Sequence, residues 1–423
     1  MVLLLLEQHL MWSRVTSTGT TYTYYEDYYT WIVAAIALVW LTWFLVRRYR
    51  RARALKRRPR ANRRSLKRVI QRKRELSSIY LQPGFSTTIH AVGIGRLDGG
   101  DDYCIQVFVS DPGRELWPGS RLRHRGIYRD VPVVVIEMPM AGFLSDASRS
   151  SPVESGQYAN GIRETQEVII GGISGANTNL TGESGTIGYF CTRKSKLPRR
   201  KEVHLLSNSH VFADLRKDTL DDSDLITQPS PGESGSNRPI ASLVNFSALK
   251  FDTDINQPNH IDAAFAKLWT KHVHQPLIPL IGAVKGYVAK KDIELGETAR
   301  KFGRTTGYTE GHIFSIYLDI WIRYDRTGKS AFFQNQFLIE PELPAFIKFV
   351  AKGDSGSLVV DANQHAIGLI FAGMAELPES LRSATTVEKN PVVEVDSPKR
   401  IESYGVANPI SEVLDRLKID LLV

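Results

Sequence analysis

Gly353-Asp354-Ser355-Gly356-Ser357, followed by the apolar run Leu358-Val359-Val360, decides how this sequence is read. Glycines on both sides of Asp354-Ser355 let the backbone turn tightly and let N–H groups approach another molecule closely. Ser355 is thereby the candidate nucleophile, and the N–H groups of Gly353 and Ser355 are the candidate oxyanion hole. The spacing is not the Gly-x-Ser-x-Gly of a hydrolase elbow.

Working outward, Leu205-Leu206-Ser207-Asn208-Ser209-His210 reads as a strand entering a polar bend, with Val211-Phe212-Ala213 apolar again. This pattern puts the His210 imidazole at the edge of packed β-structure, where it suits a general base. Asp262 stands in the run Ile261-Asp262-Ala263-Ala264-Phe265. A carboxylate in such a run needs a partner, because burying it alone is costly; orienting His210 supplies one. Asp252 and Asp254 are rivals, but lie in polar, loop-like sequence. The order His, Asp, Ser is one known arrangement for peptide hydrolysis, chemistry that needs no metal and no cofactor. His272-Val273-His274 is too small a fragment to hold a metal by itself.

These strings resemble the chymotrypsin-like (trypsin-like) serine proteases, and in motifs most closely the plant narrow-leaf-type proteases and their bacterial relatives. The resemblance spans about Ile169 to Leu417 and includes Gly303-Arg304-Thr305-Thr306-Gly307, Gly368-Leu369-Ile370-Phe371-Ala372-Gly373 and Ala407-Asn408-Pro409-Ile410. It implies a mainly β fold: two six-stranded-type antiparallel barrels with the active site between them, then a C-terminal helix. A small β-containing unit precedes the barrels in related bacterial sequences. It also implies substrate-binding positions at Phe349, Phe371, Ala372 and Gly373, the last three pairing with substrate as an added strand. Phe349 stands six residues before Ser355, where trypsin-type members carry Asp, so an apolar preference is expected before the scissile bond. Ile169-Ile170-Gly171-Gly172 resembles the activated N-terminus of secreted relatives, whose amine would meet Asp354; a plain first strand is the preferred reading. Gly303–Gly307 reads as a turn between strands.

The remaining sequence divides by composition. Residues 31–46 carry no charge and are flanked by Tyr22, Tyr24 and Tyr25, as in a transmembrane helix following an extracytoplasmic tail of residues 1–30. Residues 47–78 form a basic juxtamembrane segment. From Arg47 to Arg74 there are 16 Lys/Arg and no Asp or Glu; subtracting them from the formal net charge of +9 leaves −7 elsewhere. Position beside an apolar span favours anionic lipid over nucleic acid as the partner of this segment. Leu66, Val69, Ile70 and Leu76 fit an amphipathic helix lying on that surface. The expectation is a single-pass protein of the cell membrane, N-terminus outside and protease region in the cytoplasm. The two cysteines, Cys104 and Cys191, fit a reducing compartment.

Residues 86–141 read as a small β-rich module, 142–166 as a Ser-rich linker and 167–423 as the protease domain. Val92-Gly93-Ile94-Gly95 is no dinucleotide loop, since a turn and not a helix follows. Asn408-Pro409-Ile410 reads as an N-cap and first helical residue, and Ile410, Val413, Leu414 and Leu417 as one apolar face. The sequence thus points to a membrane-anchored, gated serine endopeptidase acting on polypeptide substrates, with a regulatory partner or oligomer as a further expectation. The competing reading is an inactive protease fold serving as a membrane-tethered binding module.

Overall fold

The computed structural model describes residues 63–83, 88–97, 100–110, 125–142, 161–180, 183–195, 202–217, 219–231, 233, 238–324, 327–375 and 401–423. Residues 64–423 belong to one compact unit. It is mainly β, as its many short β-branched and aromatic runs dictate.

The N-terminal part contributes helix α1 (Arg63–Tyr80) and strands β1 (Ile89–Arg96), β2 (Tyr103–Val109), β3 (Arg125–Tyr128), β4 (Val131–Glu137) and β5 (Ala141–Gly142). A seven-stranded sheet follows, built from β6 (Ala176–Asn177), β7 (Tyr189–Arg193), β8 (His204–Ser207), β9 (Leu225–Gln228), β10 (Arg238–Phe246), β11 (Ala264–Leu268) and the last strand of the chain. The second large sheet contains β12 (Thr298–Gly303), β13 (Gly307–Tyr324), β14 (Lys329–Pro341), β15 (Leu358–Val360), β16 (Ala366–Ala375) and β17 (Ser403–Pro409). Helix α2 (Ile410–Leu417) and β18 (Ile419–Leu421) close the chain, and β18 pairs with β7.

Strand β12 pairs with β15 and also with β13, so the order β12-β15-β16-β17-β14-β13 returns on itself. The β-rich N-terminal module continues this sheet: β1 lies antiparallel to β13, with Ala91 opposite Ile320. Three apolar clusters fill the described fold, and the one on the seven-stranded sheet also takes in Phe302, Leu358, Val360 and Leu369 of the second sheet. On α2, Ile410, Val413, Leu414 and Leu417 are all buried. Asn408 does not cap this helix; it is the penultimate residue of β17, and Pro409 takes the N-cap position.

The membrane expectation is corrected here. Among the described residues no helix is long and apolar enough to cross a membrane, so the single-pass localisation and the transmembrane helix of the expected fold are not supported. Residues 1–30, the apolar run 31–46 and most of Arg47–Arg74 lie outside the described residues. The amphipathic helix does form, but protein covers its apolar face. Val69 and Leu76 are buried in the cluster under β1 and β2, with Leu66 and Ile70 packed against it. Lys73 on the same face reaches Asp319 of β13 at 2.5 Å, both nearly inaccessible to solvent. Helical periodicity marks which face is apolar but not what covers it.

Candidate active site

Register brings His210 and Asp262 together. Ser207, at the end of β8, pairs antiparallel with Ala264 at the start of β11. The chain therefore continues past β8 and enters β11 at one edge, three residues from Ser207 to His210 and two from Ala264 back to Asp262. His210 lies in a single helical turn, Ser209–Phe212, which directs its ring at the carboxylate. His210 Nδ1 donates to Asp262 Oδ2 at 2.6 Å, and the His210 backbone N–H donates to Asp262 Oδ1 at 3.2 Å. With Nδ1 as donor, Nε2 is the basic nitrogen of the neutral ring.

Asp262 is inaccessible to solvent and satisfied on every side. The Tyr324 hydroxyl donates to Oδ2 at 2.8 Å. Burial first, and then the neighbouring Asp262 charge, push the Tyr324 phenol well above its ordinary range, so it stays protonated as a donor. Two asparagines hold the Asp262 backbone: Asn208 Nδ2 donates to its carbonyl at 2.7 Å, and its N–H donates to Asn408 Oδ1 at 2.9 Å. The residue read as a helix cap is thus a clamp on the carboxylate segment. Asp252 and Asp254 sit elsewhere, bonded to Ser330 and Asn256.

Ser355 occupies the turn leading into β15, between Gly353 and Gly356, which have φ of +97° and +96°. Thr186 ties this turn to the histidine strand. Its N–H donates to the Ser355 carbonyl at 2.8 Å, its Oγ1 to the Gly353 carbonyl at 2.8 Å, and its own carbonyl accepts from Ser207 Oγ at 2.8 Å. Gly356 sits so close to β8 that a Cβ there would lie 2.3 Å from Ser207 Oγ. Ser355 is therefore one residue from contact with the side chain of Ser207, which ends the strand three residues before His210.

Orientation of the turn comes from the β12–β13 turn, Gly303–Gly307. Thr305 Oγ1 donates to the Lys352 carbonyl at 2.5 Å. In a trans peptide the N–H points opposite to the C=O, so this bond turns the Gly353 N–H away from Thr305. Asp354 faces inward: Oδ1 accepts from the Thr305 and Thr306 N–H groups at 2.8 and 3.1 Å, and Oδ2 from Ala351 N–H at 2.9 Å and Thr306 Oγ1 at 2.7 Å. Its charge partner is Lys301 of β12, 3.2 Å away and fully buried. Burial lowers the Lys301 pKa against the opposing pull of Asp354. An internal lysine thus stands where a new N-terminal amine would have to reach. Ile169 lies instead in the two-residue strand Val168–Ile169, paired with Val273–His274.

Ser355 opens on a shallow depression lined by Val350, Ala351, Lys352, Ile370, Ala372, Gly373 and Gly142. Ala372 and Gly373, named from the sequence, belong to this wall. Phe349 and Phe371 are core residues with no accessible surface, Phe371 packing on Phe333 at 4.8 Å between ring centroids. Among the described residues no group of His, Cys, Asp or Glu is arranged to hold a metal. Cys104 and Cys191 are both buried, and burial pushes the Cys191 thiol up, away from the reactive thiolate.

Sequence reasoning missed Thr186, Lys301, Thr305 and Tyr324. The one local signal was Lys301, a charged residue in an otherwise β-type run leading into Gly303.

No family model matches the chain, and no curated protein matches its sequence. Among solved structures the chain is similar to Thermobifida fusca Protease A, at 16% identity and a TM-score of 0.38, over 60% of this chain and 99% of that one. It is similar to a glutamic acid specific serine protease at 11% identity and a TM-score of 0.38, over 60% of this chain and 100% of that one. The chymotrypsin of Cellulomonas bogoriensis matches at 14% identity and a TM-score of 0.35, over 60% of this chain and 98% of that one. With TM-scores of 0.35 to 0.38 these likenesses decide nothing about the site, which rests on its own geometry.

Proposed function

We propose that this chain is a chymotrypsin-like serine endopeptidase, built as two β-barrels and closest in motifs to the narrow-leaf-type group, with His210, Asp262 and Ser355 as its catalytic triad. Ser355 Oγ attacks the carbonyl carbon of the scissile bond while His210 Nε2 takes its proton. Asp262 steadies the imidazolium, and His210 then protonates the leaving amine. Water, deprotonated by His210, hydrolyses the acyl-enzyme and restores the serine. The N–H groups of Gly353 and Ser355 receive the oxyanion, each contributing roughly 3–4 kcal/mol to the transition state. The small, apolar lining by Val350, Ala351, Ile370 and Ala372 supports a preference for an apolar residue before the scissile bond.

The observation that carries this reading is the 2.6 Å bond from His210 to a fully buried Asp262, just beyond the end of the strand that Thr186 ties to the Ser355 turn. The test is labelling of the purified chain by a fluorophosphonate beside a Ser355→Ala control. Covalent labelling of the first and not of the second is expected; no labelling of either sinks the reading.

A further inference from the structure

Strand β5 occupies the edge along which a peptide would have to approach Ser355. Strand β16 meets the nucleophile turn midway along its length, at Ile370: the Gly356 N–H donates to the Ile370 carbonyl at 2.9 Å, and the Ile370 N–H to the Ser357 carbonyl at 3.0 Å. From Ile370 to Gly373 the strand therefore runs away from Ser355. One edge of β16 is covered by β17 from Gly368 to Ala375. The other is taken by β15 as far as Leu369 and by the nucleophile turn at Ile370. Beyond the turn, the partner on that edge is Gly142, antiparallel and opposite Gly373.

Direction gives this pairing its meaning. Because β16 runs away from the nucleophile, its antiparallel partner β5 runs toward it, and Gly142 lines the same depression as Ser355, Lys352 and Ala372. An extended peptide bound by strand addition would need the same backbone groups of β16. The occupant is firmly seated. β5 also pairs with β13, Gly142 opposite Arg323, and Ala141 has no exposed surface. Upstream, the Met138 N–H donates to the Val109 carbonyl at 2.8 Å, and His90 Nε2 donates to the Met138 carbonyl at 2.6 Å.

We infer that β5 is a built-in competitor for peptide substrate: the N-terminal module holds Ala141–Gly142 in the strand position of the acyl side of the substrate, and a polypeptide must displace it to be cut. This inference rests on the protease reading above and names the regulation of the same site. A resident strand lowers the fraction of open sites and raises the apparent KM by the same factor.

The full chain is first titrated with a fluorophosphonate, which reacts at Ser355 without needing the β16 edge, and then assayed on an apolar fluorogenic peptide. Ala141→Pro, one residue outside the depression beside Ser355, removes an N–H of the resident strand and forces β5 off its register with Ile322. It is expected to lower KM about tenfold or more while fluorophosphonate labelling stays within about twofold. An unchanged KM with labelling intact overturns the inference and leaves the protease reading standing. A chain that does not label at all removes both. Should the variant not fold, amide hydrogen exchange on the unaltered chain decides. Saturation with a peptide aldehyde is expected to speed exchange in Met138–Gly142; unchanged protection with the aldehyde bound overturns the inference.

Discussion

Tyr324 and His210 meet on one atom. Both donate to Asp262 Oδ2, the phenol at 2.8 Å and the imidazole at 2.6 Å, and the carboxylate itself is closed to solvent. A phenol held protonated by burial is a donor that does not titrate away as the solution becomes mildly alkaline. Tyr324→Phe keeps the ring packing against Phe251 and removes this one bond. It is expected to lower kcat/KM about tenfold and to cost about 2 kcal/mol of stability, as for a bond to a charged group. Steady-state kinetics and a denaturant melt check both parts.

Thr305 sets the orientation of the Lys352–Gly353 peptide. Thr305→Val retains the size and β-branching of the residue but leaves the Lys352 carbonyl without its hydroxyl donor. The peptide then loses what fixes the direction of the Gly353 N–H, the proposed oxyanion donor. A fall in kcat of about 10- to 100-fold with KM little changed is expected, since the bond matters for the developing oxyanion. Affinity for a peptide boronate, which imitates that anion, should fall in parallel; a fall in stability alone would mean a merely structural role.

Lys301 and Asp354 form a buried pair, and breaking such a pair is costlier than removing it. Lys301→Met leaves the Asp354 charge buried with neutral donors only, and a loss of about 3–5 kcal/mol is expected. The double substitution Lys301→Met with Asp354→Asn should recover a substantial part of that loss. Urea denaturation of the four members of the cycle measures the coupling directly.

His90 makes the fold sensitive to mild acid. Burial lowers its pKa from 6.5 to about 4. The unfolded chain takes up a proton near pH 6.5 and the folded chain near pH 4, so stability is complete above pH 6.5 and declines through that interval. The shift corresponds to about 3 kcal/mol. His90→Gln should flatten this part of the stability–pH curve, measured by thermal unfolding from pH 7 to pH 4.

The residues of the proposed triad could be named from the sequence because each sits in a local string. Ser355 announces itself through its glycines, His210 through its strand-and-bend setting, and Asp262 through a charge in an apolar run. The supports of that chemistry were not legible, because they join distant residues. Tyr324 is 62 residues from Asp262, Asn408 is 146 from it, and Thr186 is 167 from Gly353. No periodicity or turn signal encodes such pairings; they follow from strand register. For α1, the amphipathic pattern was read correctly as an apolar face and incorrectly as a face for lipid, since a sheet and a bilayer ask the same of it.

Strand β13 passes three attachments in nine residues. It meets β1 between Ile316 and Ile320 and holds Lys73 of α1 at Asp319; it then flanks β5 at Ile322 and Arg323 and ends on the Tyr324 hydroxyl that braces Asp262. Nine residues of a single strand therefore serve three tasks at once: they anchor the N-terminal helix, seat the β5 segment and brace a buried carboxylate, so a substitution in this stretch would be felt in all three places.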